Sequence, residues 1–188
     1  MASQEAVATQ LSVLLPTVSS MKMPNEWLGE ATQMLMTDRY AQATAPVVLW
    51  GAVLSLTGGV TPTSLMVQME TAAEHTEWRA VWSTDSLVGF ASVAKDEERW
   101  TAYSDDYHAD TVTAWARDIR DVQAVQLRDV DCKQVGGYGE RETDWRWSVG
   151  ARVLFGDGSH VDLPPSGTSR SDEHDVQIRE FLNAITKR

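Results

Sequence analysis

Cysteine is almost missing. Cys132 is the only one, so no internal disulfide can form, and the chain reads as one made for a reducing compartment. Basic side chains are also scarce, 16 Lys and Arg against 27 Asp and Glu. The resulting formal charge of −11 opposes phosphate backbones and anionic lipid surfaces, both of which are bound mainly through clustered cations. Nucleic acid and membrane are therefore not expected as partners. No long hydrophobic run is present. The most membrane-like stretch, APVVLWGAVLSLTGGV at 45–60, is shorter than the roughly 20 residues a spanning helix needs and holds a Gly pair and hydroxyls. The first residues, MASQEAVATQLSVLLPTVSS, lack the basic segment of a secretory signal, which makes a cytoplasmic location the expectation.

Two signatures of nucleophilic catalysis are missing as well: there is no GxSxG and no cysteine set beside a histidine in sequence. Cys132 lies in RDVDCKQ, which offers little of the positive surroundings a reactive thiolate needs. GGYG at 136–139 lacks the Lys-Ser/Thr and helix start of a phosphate cradle and reads as a hairpin tip. No cofactor is expected.

What is present is an ordinary globular composition, 43% apolar and 23% charged, which excludes disorder and coiled coil. The 188 residues suffice for a core without metal or disulfide. The chain changes character near residue 70. Residues 1–70 carry seven charged side chains and all seven methionines, at 1, 21, 23, 34, 36, 66 and 69. Two portions are expected on that ground, a Met-rich helical one over 1–75 with one buried strand, and a sheet-plus-helix one over 76–188.

In the first portion, Val7, Leu11, Leu14 and Leu15 share a helical face up to Pro16, and Trp27, Ala31, Met34 and Leu35 share another that starts near Pro24 and ends near Tyr40. Val47–Thr57, rich in Val and Leu and followed by Gly58-Gly59, reads as a buried strand, and 61–74 leans toward helix. From Glu77 the period becomes two. Trp78, Ala80 and Trp82 alternate with Arg79, Val81 and Ser83, and after a turn at Thr84-Asp85-Ser86 the chain returns through Leu87–Ala94. Thr111–Arg117 and Asp121–Asp131 are further extended segments. Trp145, Trp147, Val149, Ala151, Val153 and Phe155 line one side of a strand that turns at Asp157-Gly158 into His160–Leu163. Ser171 is placed to cap a last helix whose face is Ile178, Phe181, Leu182 and Ile185. The fold class expected is α+β: an antiparallel meander, or a partly open barrel, capped by a C-terminal helix.

Strands over about 76–163 followed by one amphipathic helix resemble the bacterial PH-like domain. The pieces that carry the resemblance are ARDIRDVQAVQL at 116–127, ARVLFGDGSHVDLP at 151–164 and IREFLNAI at 178–185. The resemblance implies a bent antiparallel barrel closed by its last helix, used for binding peptides, proteins or lipid headgroups rather than for chemistry. Headgroup binding in PH domains uses basic residues at the first hairpin turn; here that turn is STDS at 83–86, so phosphoinositide is not expected.

Two sets of residues stand out for function. DDYHAD at 105–110 puts Asp105, Asp106, His108 and Asp110 within six residues, and His160, on the polar side of its strand with Asp162, offers a further ligand. A divalent ion there would make a small metal-dependent hydrolase, although the spacing fits no calcium loop or zinc site, and solvated loop polarity explains the same residues. His174, in SDEHD, is better explained by helix capping. Most of the eight tryptophans fit core packing, and Trp100, among Glu97, Glu98 and Arg99, is the least explained. The second set is the helical face with Trp27, Met34 and Leu35. Thioethers are adaptable and frequent at surfaces that accept partners, so these residues are the expected protein-binding face, with self-association the simplest case. A non-enzymatic protein-interaction module is thus the leading expectation, and the hydrolase its alternative.

Overall fold

The computed structural model describes residues 43–135, 144–165 and 172–186. The two helices expected over residues 7–40, with Trp27, Met34 and Leu35, and the cap at Ser171 lie outside these residues.

The first described element is a helix, α1 (Val47–Thr57), where the sequence pattern pointed to a strand. The run is apolar nearly all round, so it has no polar face for periodicity to detect. Its ends carry the decisive chemistry. Pro46 precedes it with a φ of −64°, and Gly58, at φ +64°, takes the left-handed conformation after its last turn and donates its N–H to the Leu54 carbonyl. Leu49, Trp50, Val53, Leu54 and Thr57 are buried, while Gly51 and Ser55 face outward.

Residues 61–74 are likewise corrected. They hold strand β1 (Ser64–Ala72) rather than a helix, because both faces of the strand have partners. β1 pairs antiparallel with β2 (His75–Ser83), β2 with β3 (Leu87–Lys95), and β3 with β4 (Thr111–Asp118), giving a four-stranded sheet in sequence order. The β1–β2 hairpin crosses the division at 75/76 suggested by composition. Thr84 closes the β2–β3 turn: its Oγ1 accepts the Leu87 N–H at 3.0 Å. A short 3-10 turn at Ile119–Asp121 leads into a three-stranded antiparallel sheet of β5 (Val122–Val135), β6 (Asp144–Phe155) and β7 (His160–Leu163), with β6 in the middle. Helix α2 (Asp172–Thr186) follows. The protein is α+β with two open antiparallel sheets, a helix before them and a helix after.

The first three strands of the first sheet bury side chains on both faces, whereas β4 has no buried residue. On one, Val67, Trp78, Ala80, Trp82, Ala91 and Val93 pack against Leu49, Trp50, Val53 and Leu54 of α1. On the other, Met66, Val81 and Val88 join Ala151, Val153 and Phe155 of β6, Val161 and Leu163 of β7, and Ile178, Phe181 and Ile185 of α2. Met66 is therefore core, and Met69 is half-buried against the α1 side. The layers run α1, first sheet, then second sheet with α2.

One junction between the sheets is aromatic and charged together. The Trp115 ring lies 5.9 Å from Phe90 and 5.5 Å, edge-on, from Phe155. The Arg117 guanidinium sits 5.4 Å from the Trp115 ring and 5.2 Å from that of Phe155, and reaches Asp157 in the β6–β7 turn at 2.7 Å.

Candidate functional site

The loop between β3 and β4 carries the acidic cluster, and Trp100 explains its shape. Trp100 is fully buried in the α1-side core. Its carbonyl accepts the Trp78 indole N–H at 2.7 Å, and its own indole N–H donates to the Asp106 carbonyl at 2.9 Å. The residue with no role in the sequence pattern is the anchor that folds the loop onto the sheet. A lone Trp in charged surroundings carries a signal of this kind, since an exposed indole there has nothing to gain from packing.

The cluster is engaged with its own surroundings. Asp106 Oδ2 takes the Lys95 ammonium at 2.6 Å, and its Oδ1 accepts the His108 backbone N–H at 2.9 Å. Lys95 first, then His108, hold the Asp106 carboxyl well below the usual carboxylate range. Asp110 Oδ2 accepts the Asp96 backbone N–H at 2.8 Å. Asp105 is exposed, and the His108 side chain is 95% exposed. His160 lies elsewhere, on β7 in the second sheet, opposite Leu154. Among the described residues no three His, Cys, Asp or Glu side chains are grouped as a metal-binding set.

The other shifted groups are also ion pairs, each stabilised in its charged form. Arg152 holds Asp162 in a two-pronged contact of 2.6 and 2.8 Å across β6 and β7, which lowers the Asp162 pKa and raises that of Arg152. Burial pulls Glu77 upward, but hydrogen bonds from Arg79 and Ser92 outweigh it and leave the carboxyl lowered. Asp157 is lowered to about 2 by the side chain and backbone of Ser159, then by Arg117.

Two further surfaces bear on the choice of partner. A groove of about 650 Å³ between α2 and the β2–β3 turn is lined by Thr63, Thr84, Asp85, Glu180, Asn183 and Ala184. Its ionisable groups are both acids, which suits no anionic headgroup. The second surface belongs to the sheet formed by β5, β6 and β7. Along β6 the alternation read from sequence is present, and Ala151, Val153 and Phe155 are buried, but Trp147 on the same side is 61% exposed. Register puts Leu127 opposite Ala151 and Cys132 opposite Trp147, and the irregularity after Arg128 sets Asp129 and Val130 opposite Val149. Leu127 is 61% and Val130 56% exposed. The face that is core at one end of the sheet thus continues uncovered at the other. Sequence reasoning had assigned Trp147 to the core, because alternation tells which side a residue faces and not how far its cover extends.

Comparison of the chain with protein-family models, with curated proteins and with solved structures finds no match. Among the described residues no helix is long and apolar enough to cross a membrane.

Proposed function

We propose that this chain is a non-enzymatic protein-interaction module on a PH-like scaffold, with another protein as its partner. Supporting the scaffold are the two antiparallel sheets that share one core and the helix packed at its end. The observation that carries the interaction reading is the apolar face of Leu127, Val130 and Trp147, which continues the core side of the second sheet without cover. The electrostatics favour the same reading. The shifted carboxyls lie below their usual range and the shifted cations above theirs, whereas a general acid or base is tuned toward neutrality. The acidic overall charge selects a neutral or basic protein surface over nucleic acid or anionic lipid. The test is capture of interacting proteins by the intact chain and by its Trp147→Glu variant. A protein retained by the first and lost by the second, with circular dichroism unchanged, supports the module. Identical retention by both removes this face from the argument.

A further inference from the structure

We infer that the free edge of β4 takes an extended segment of a partner protein as an added antiparallel strand, with Lys or Arg at the segment's C-terminal end. The site is separate from the stripe of Leu127, Val130 and Trp147, so the inference goes beyond the face proposed above. β4 is the last strand of its sheet and pairs with β3 alone. The Ile119 N–H donates to the Ser86 carbonyl at 2.8 Å, extending the β3–β4 register by one pair. Bonded pairs recur at every second residue of an antiparallel ladder, so Thr111, Thr113, Trp115 and Arg117 turn their backbone groups toward β3. Val112, Ala114 and Ala116 turn theirs away, and among the described residues these groups have no partner on that side.

Native edges are blunted by charge, proline, bulges or short length. The second sheet follows this rule. β7 has four residues and is followed by Pro164, and β5 is broken by two register irregularities and carries Arg128, Asp129, Asp131 and Lys133. In the first sheet, β1 packs against α2. β4 has no such device over residues 111–116. The run TVTAWA holds no charge and no proline, its register with β3 is unbroken, and Thr111, Val112, Thr113 and Ala114 are exposed. From Val112 to Ala116 the edge spans about 14 Å, the length of a short strand.

Charge selects the occupant. Residues 95–110, which lead into β4, hold six acidic and two basic side chains. Asp105 is exposed there, and Tyr103 and Tyr107 on either side of it are 83% and 57% exposed. A strand antiparallel to β4 brings its C-terminal end to Thr111, beside this loop, where a cation meets acidic and aromatic surface. A second copy fits worse. The two-fold pairing that uses all three outward residues is centred on Ala114 and sets Asp110 against Asp118 of the copy at both ends, between chains of charge −11 each.

The experiment selects peptides from a displayed library of short random sequences on the full-length chain. The selected peptides are expected to be rich in β-branched residues, to carry Lys or Arg toward the C-terminal end, and to shift the amide resonances of Val112 and Ala114. Ala114→Pro removes an outward donor without touching the β3 ladder, and Val112→Lys blunts the edge with a charge. Each should weaken binding about tenfold or more with circular dichroism unchanged. Should Ala114→Pro unfold the chain, Val112→Lys and the amide shifts decide. Asp105→Lys should weaken the same peptides but not versions whose Lys and Arg are replaced by Gln. Trp147→Glu should bind them as the parent does. The inference is overturned if no peptide is selected, or if the edge variants bind as tightly as the parent. Loss of binding in Trp147→Glu alone also overturns it, since the peptide then lies on the stripe. Protection of the Val112 and Ala114 amides that grows with concentration in the absence of peptide does so too, because the edge is then occupied by a second copy.

Discussion

The ring of Trp82 occupies the space where a side chain at Gly89 would stand. The two are register partners on β2 and β3, and a Cβ at residue 89 would meet Cζ2 of Trp82 at 2.0 Å and Cε2 at 2.1 Å. Trp82 is fully buried beneath α1, so the ring has nowhere to retreat. Gly89→Ala is therefore expected to destabilise the protein by at least the ~1–3 kcal/mol typical of overpacking. Urea unfolding measures it, and a variant as stable as the parent would show that the ring can move.

Trp100 is expected to control the β3–β4 loop. Trp100→Ala should cost about 3–5 kcal/mol, as loss of a large buried aromatic does. Trp100→Phe retains much of the packing but loses the bond to the Asp106 carbonyl, a loss of about 1 kcal/mol. Limited proteolysis should then cut between 101 and 110 faster than in the parent. Equal cleavage would mean that Lys95 and Asp106 hold the loop without the indole.

How much was legible in the sequence depends on whether an element had one partner or two. The strands from His75 onward alternate visibly because turns such as Thr84-Asp85-Ser86 and Asp157-Gly158 punctuate them, and the face of α2, with Ile178, Phe181 and Ile185 buried, meets a single surface. α1 was misread because its apolar residues wrap the helix, although Pro46 and Gly58 marked its ends. β1 was ambiguous because Val67 and Met66 point into different cores. The site was less legible still. The acidic cluster was easy to see, but its engagement by Lys95 and Trp100 comes from residues up to 13 positions away, a relation no local motif encodes. The exposed stripe was hidden for the opposite reason, since its pattern is that of core.

Stability should fall in acid. Asp157 drops from 3.8 to about 2 on folding, and Asp106, Asp162 and Glu77 also lie below their ordinary values. A carboxyl depressed by folding stabilises the native state above its unfolded pKa, and that contribution is lost as pH falls through the folded value. For Asp157 the window runs from about pH 4 to about pH 2. Urea midpoints should decline across it, and Asp157→Asn should make the decline shallower. A midpoint constant from pH 5 to pH 2 would contradict the ion pairs described.

No tight divalent metal site is expected at 105–110. A metal there would have to take Asp106 from Lys95 and Asp110 from the Asp96 N–H, exchanging existing bonds for new ones. Calorimetry with Zn²⁺, Mn²⁺ and Ca²⁺ should find no micromolar binding, and His108→Ala should leave the trace unchanged. A micromolar site lost in that variant would favour the hydrolase over the interaction module.

The division at 75/76 is open to a direct test by fragments. A chain beginning at residue 76 loses α1 and β1, and with them Leu49, Trp50, Val53, Leu54, Met66 and Val67, all at 4% exposure or less. Each such side chain is worth about 1.5–3 kcal/mol of burial. Six together exceed a typical domain's whole stability of about 5–15 kcal/mol or come close to it, even before the newly exposed Trp78, Trp82 and Val93 are counted. A chain beginning at residue 43 keeps all of these contacts. The expected result is a dispersed amide spectrum for 43–188 and a collapsed one for 76–188. A dispersed spectrum for the shorter fragment would show that the second sheet and α2 hold β2 to β4 without help, and would make 76–188 a folding unit with α1 and β1 as additions to it.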